Sequence, residues 1–226
     1  MDRDQFLKRV RDAAIEGRKY PVELDPAATA EFSYVGGGED PVASFLKEWK
    51  AVGGEGERVS GDEAARAYVR GVISKCAAKS ILLWRHPLLE RLGLKHALEG
   101  MEVELQWWDD LEKLPNEERR ERAFGADLGI TGVDWAIAET GSLAICSGAG
   151  GRGRSVSLLP PVHIAIFERS QLIPDLFDLY PLLEQLPEGL PSNVTLITGP
   201  SKTGDIQLKL TTGVHGPGEV RALIIE

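Results

Sequence analysis

The chain has 226 residues, a length that suits one sizeable domain or a domain with a small appendage. Its formal net charge of -9 sets up a field that repels a phosphate backbone, and no basic stripe interleaved with aromatics offsets it, so nucleic acid is excluded as a partner. Two cysteines supply neither a disulfide framework nor the four thiolates of an iron–sulfur cluster, so no redox cofactor is expected in this chain.

The opening MDRDQFLKRVRD lacks an apolar leader core, and no apolar run is long enough to span a bilayer, which points to a cytoplasmic protein. In residues 2–17, Phe6, Leu7, Val10 and Ala14 recur at helical spacing on a charged background, predicting an amphipathic helix. Residues 20–40, rich in Pro, Ala and Thr and carrying Gly36-Gly37-Gly38, read as an extended connector. Asp40-Pro41 opens a second helix through Lys50, and Gly61-Asp62-Glu63 begins a third that runs to Cys76. Short apolar or β-branched runs then predict strands at 79–84, 102–107, 134–139, 142–146, 163–167, 193–197 and 220–225. Helical stretches at 86–99 and 174–186 lie between them, so the pattern is α/β: a mixed, mostly parallel sheet flanked by helices. The mixed character comes from Thr140-Gly141, which separates two strands by only two residues and predicts a tight antiparallel hairpin. EERRER at 117–122 reads as a solvated helix face with internal ion pairs.

Four features carry candidate chemistry. Glu139 ends an apolar strand beside the Thr140-Gly141 turn and suits either a general base or nucleophile, or a cap on nearby backbone N–H groups. The loop SGAGGRGRS, 147–155, exposes glycine N–H groups beside Arg152, Arg154 and Ser155, and suits either a small anion or a solvated crossover. It matches neither a phosphate-binding P-loop nor a dinucleotide fingerprint. Ser201, Lys202 and Asp205 lie in GPSKTGDI after a strand, expected to lead into a short helix, either contacting a ligand or capping that helix. His163 and His215 sit beside proline and glycine, without the close spacing of a metal site, so no metal is assigned.

With those residues identified, the chain resembles the lactate utilization protein C family, whose shared module is the LUD domain. The resemblance rests on GITGVDWAIAETGSL, Arg154-Ser155 leading to SLLPPVHIAI, NVTLITGPSKTGDIQ and GVHGPGEV, spanning 129–226 in order. It implies a fold similar to the NagB/RpiA/CoA-transferase-like group and one LUD-like domain over 1–226, with 1–50 a helical arm packed on it. It further implies a cytoplasmic subunit that serves L-lactate oxidation to pyruvate beside iron–sulfur partner subunits, which hold the clusters this chain lacks. A homodimer is compatible with the sequence. In CoA transferases of similar fold a Glu-x-Gly motif supplies the acyl-accepting glutamate, and Glu139-Thr140-Gly141 is similar to it.

The expected site is therefore a cleft at the strand ends lined by Glu139, Arg154, Ser201, Asp205 and His215, with Thr140, Gly141, Ser155, His163 and Lys202 beside them. A small carboxylate would find cations and N–H groups there for its charge and a base for its carbinol. The rival expectations are a stand-alone acyl transferase or isomerase using Glu139, and a non-catalytic regulator that binds a small anion.

Overall fold

The computed structural model describes residues 2–19, 34–148, 152–187, 189–206 and 209–226, with the backbone alone at 205, 206, 209 and 210. They fall into two compact units, Met1–Tyr34 and Val35–Glu226. In the first, α1 (Arg3–Gly17) is capped by Asp2, whose carboxylate accepts from the Gln5 N–H at 2.8 Å, and its Phe6, Val10 and Ile15 are exposed. Of the connector expected at 20–40, residues 20–33 lie outside the described residues and 34–40 are neither helix nor strand.

The second unit opens with α2 (Pro41–Ala51), started by Asp40, which accepts from the N–H groups of Val42 and Ala43, and by proline in the first turn, where its missing N–H costs nothing. Then follow β1 (Glu55–Val59), α3 (Gly61–Cys76), β2 (Ser80–Leu83), α4 (Pro87–Leu92), α5 (Leu94–Ala97), β3 (Glu104–Trp107), α6 (Trp108–Leu111), α7 (Asn116–Phe124) and β4 (Leu128–Gly132). After these come β5 (Trp135–Ile137), β6 (Ser142–Ser147), α8 (Ser155–Leu158), β7 (Val162–Glu168), β8 (Leu172–Ile173), α9 (Leu179–Glu184) and β9 (Asn193–Ile197). A hairpin of β10 (Lys202–Ile206) with β11 (Lys209–Thr212), and β12 (Glu219–Ile225), complete the chain.

Six strands form one sheet in the order β1-β12-β7-β4-β2-β3, and every neighbouring pair is parallel. The antiparallel hairpin lies instead in a second sheet, β8-β5-β6-β9, where Ile137 pairs with Ser142 across a turn formed by 138–141. The two faces of the large sheet are sorted by strand alternation. Ile164, Ile166, Leu223 and Ile225 pack with Val69, Ile73 and Leu89 of the helices on one side. Ala165, Phe167, Val220, Ala222 and Ile224 pack with Val42, Phe45 and Trp49 of α2 and with Ala136 and Leu143 of the second sheet on the other. The outer face of the second sheet, Ile137, Ala144 and Cys146, is covered by Leu179 and Leu183 of α9. The layers thus run helix, parallel sheet, second sheet, helix.

The expected short helix after Gly199 is instead the β10–β11 hairpin, because alternating positions from Lys202 onward find a partner strand at 209–212. The helix expected over 86–99 is broken at Gly93, whose φ of +57° turns the chain between α4 and α5.

Candidate functional site

The predicted site residues divide into three places rather than one cleft. At the first, the Glu139 N–H donates to the Pro174 carbonyl at 3.0 Å and its half-buried carboxylate sits 3.5 Å from the Leu176 N–H. Beside it Asp175 is buried and accepts from Phe177, Gly36 and Val35; these N–H groups, Phe177 foremost, hold its carboxyl below the usual range. The Thr140 hydroxyl donates to Ser142, whose own hydroxyl is hydrogen-bonded to that of Thr198 at 2.7 Å. Gly141, at φ +59°, lies so close to α2 that a Cβ there would stand 2.4 Å from the Trp49 amide nitrogen. In Glu-Thr-Gly, therefore, the glycine serves the packing of the turn on a helix.

The second place is the amino edge of the parallel sheet. The Ser201 N–H donates to the Pro217 carbonyl, and its carbonyl accepts from Gly213, which fastens it to the loop that carries exposed His215. Lys202 donates to the Val52 carbonyl at the end of α2, where a cation suits the helix dipole. Asp205 lies on β10 by its backbone. Arg154 is exposed, and with Ser155 it opens α8. The expectation that Glu139, Arg154, Ser201, Asp205 and His215 line one cleft is corrected: Arg154 points into solvent, and the loop of Ser201 and His215 lies before the first residues of β7 and β12.

His163 is at a third place, wholly inside. It has no exposed surface, its Nε2 lies 2.9 Å from the Thr131 hydroxyl, and burial pushes the imidazole down to about 3. A neutral ring spanning β7 and β4 is a core histidine, and its expected contact with substrate is corrected on that ground.

What the fold does assemble is a polar crevice at the carboxyl edge of the parallel sheet. Strand order reverses at β2: the chain runs from β2 to β3 at the sheet edge and returns to β4 on the opposite side. Open α/β sheets bind ligands outside such a reversal. Trp84 and His86 follow β2, and Asp134 follows β4. Gly132 makes their meeting feasible, since a Cβ there would stand 2.4 Å from the His86 ring. His86 Nδ1 accepts from the Leu88 N–H at 3.2 Å and so caps α4. Burial, with the charge of Arg152, lowers its pKa and keeps the ring neutral.

The glycine-rich loop supplies the cation. Gly148 and Arg152 form an isolated antiparallel bridge that turns Arg152 inward, whereas 149–151 lie outside the described residues. The Arg152 Nη2 binds both oxygens of Asp134, at 2.7 and 2.8 Å, and its guanidinium carbon lies 5.2 Å from the centre of the Trp84 ring. Asp134 also accepts from the Cys146 N–H at 2.7 Å. The Arg152 Nε and the Ser147 hydroxyl are buried and have no hydrogen-bond partner among the described residues. Both residues line a cavity of about 470 Å³ with Asp134, Cys146, Leu186 and Leu190. Burial raises the Cys146 thiol to about 11, so it is neutral and no nucleophile.

Sequence reasoning singled out the loop and both of its arginines but placed the site on Arg154. Nothing local separates two arginines two residues apart; the bridge to Gly148 and the acid at 134 decide which one folds in. Asp134, Trp84 and His86 carried no motif signal, because their chemistry arises only from the proximity of two strand ends.

These features define an α/β protein with a polar crevice at the carboxyl edge of a parallel sheet. The chain belongs to the LUD domain family, whose model matches residues 42–225. It is 32% identical over 231 residues to lactate utilization protein C of Shouchella clausii, covering 100% of this chain and 98% of that protein. The homologue of the same name from Halalkalibacterium halodurans is 37% identical over 161 residues, covering 70% of this chain and 67% of its own length. The uncharacterized protein YkgG of Escherichia coli is 33% identical over 173 residues, 75% of this chain and 72% of that protein. A crystal structure of a DUF162 family protein from Deinococcus radiodurans matches with a TM-score of 0.59 at 21% identity, covering 82% of this chain and 96% of that one, and shares the fold. No helix among the described residues is long and apolar enough to cross a membrane.

Proposed function

We propose that this chain is the substrate-handling component of a lactate utilization system, binding a small 2-hydroxy acid and leaving electron transfer to iron–sulfur partner subunits. The observation that carries the reading is Arg152, oriented by Asp134 and Trp84 while its Nε, like the Ser147 hydroxyl, has no partner among the described residues. Buried donors on the wall of a cavity, without a partner among the described residues, suit an acceptor that a ligand brings. A carboxylate supplies it, receiving Arg152 and Ser147, while the adjacent hydroxyl donates to the remaining lone pair of Asp134. The relatives named lactate utilization protein C support lactate as the metabolic setting. Oxidation of lactate to pyruvate releases two electrons and two protons. Two cysteines cannot hold a cluster to receive the electrons, which favours a partner as acceptor.

The test is calorimetric titration of the intact chain with L-lactate. Losing a hydrogen bond from a charged donor costs about 1.5–3 kcal/mol, so Arg152→Met should weaken binding by roughly ten- to a hundredfold. Lactate oxidation by reconstituted partner subunits that runs unchanged without this chain would refute the reading.

A further inference from the structure

The cavity beside Arg152 joins polar and apolar lining. Besides Arg152, Ser147 and Asp134, it is lined by Leu186, Pro187, Leu190 and Pro191. Leu190 is 72% exposed, so its side chain is open to a ligand in the pocket it lines. The volume of about 470 Å³ would hold roughly fifteen water molecules at about 30 Å³ each. A three-carbon acid anchored on Arg152 fills a small part of it and leaves the apolar side chains of the lining wet.

Building on the proposed binding of a 2-hydroxy acid, we infer that this crevice takes 2-hydroxy acids whose side chain is larger than a methyl group, branched or aromatic. The carboxylate and hydroxyl sit on Arg152, Ser147 and Asp134, and the side chain covers Leu186 and Leu190. The match is of the kind small-molecule sites commonly show, a few convergent polar groups fixing orientation against an apolar wall that supplies the affinity. The 2-hydroxyl donates to an acceptor-only carboxylate, so the corresponding 2-oxo acid, which has no proton to give, loses that bond.

The experiment titrates the full chain with L-lactate, L-2-hydroxy-4-methylpentanoate and L-3-phenyllactate. Each methylene fully buried strengthens binding by about fourfold, so the two larger acids should bind at least about eightfold more tightly than lactate even if half covered. Leu190→Ser, a change at an exposed position that folding tolerates, should shrink that ratio to about threefold or less. Lactate binding as tightly as the larger acids, or a ratio untouched by Leu190→Ser, overturns the inference while leaving the proposed function standing. Failure of all three acids to bind overturns both.

Discussion

Asp134→Ala tests the frame of the crevice. In the native chain its carboxylate holds Arg152 through two bonds and the Cys146 N–H through a third, and the two charged side chains are only 17% and 24% exposed. Removing one member of a fully buried pair costs about 3–5 kcal/mol, and an exposed pair is worth about 0.2–1 kcal/mol. This mostly buried pair should cost about 2 kcal/mol, and the orphaned Cys146 N–H about 1 kcal/mol more. The sum, about 3 kcal/mol, corresponds to a fall of roughly 6–12 °C in Tm for a chain of this size, measured by scanning calorimetry. Arg152→Met and the double variant complete the cycle, with a coupling energy of about 1–2 kcal/mol expected. Loss of less than about 0.5 kcal/mol in Asp134→Ala, or single effects that simply add, would refute the view that Asp134 holds the guanidinium in place.

Gly141→Ala should destabilise the chain by about 3 kcal/mol or more in urea unfolding, since the new methyl meets the backbone of Trp49 and the residue keeps a positive φ. A near-neutral result would show that the turn can leave α2. His163 should stay neutral down to about pH 4, read from its imidazole nitrogen shifts. Its folded pKa lies below the unfolded value, so the stability it contributes is full above about pH 6.5 and is lost as pH falls toward 3. That loss runs at about 1.4 kcal/mol per pH unit, and His163→Gln should remove this part of the acid slope. Gly132→Ala should weaken lactate binding and shift the His86 resonances together, as the methyl displaces the ring by which α4 is capped. Unchanged His86 signals would contradict the contact.

Much of the fold follows from local pattern. Asp40-Pro41 starts α2 because the carboxylate meets free N–H groups and proline needs none, and 163–167 and 220–225 are apolar almost throughout because parallel strands are covered on both faces. The charged face of α7 likewise shows its ion pair, Arg122 with Glu118 at 3.1 Å. β4 escaped recognition because LGITG carries two glycines, a weak strand signal whose reason is steric: a Cβ at Gly132 would strike His86, a residue 46 positions earlier in the chain. The strand at 202–206 was equally hidden, since its pairing partner, and not its own composition, makes it a strand.

The sequence by itself determined the α/β class, the hairpin at Glu139-Thr140-Gly141, the family likeness and the glycine-rich loop as an anion-binding candidate. Each depends on neighbours within a few residues, where periodicity, turn chemistry and charge act directly. Only the tertiary structure decided that Arg152 rather than Arg154 faces inward, that His163 is sealed in the core, and that Trp84, His86 and Asp134 share one crevice. Those facts depend on the order in which strands line up in the sheet. Strand order brings together the ends of β2 and β4 from 83 and 132, and a pairing over that distance leaves no periodicity in the chain.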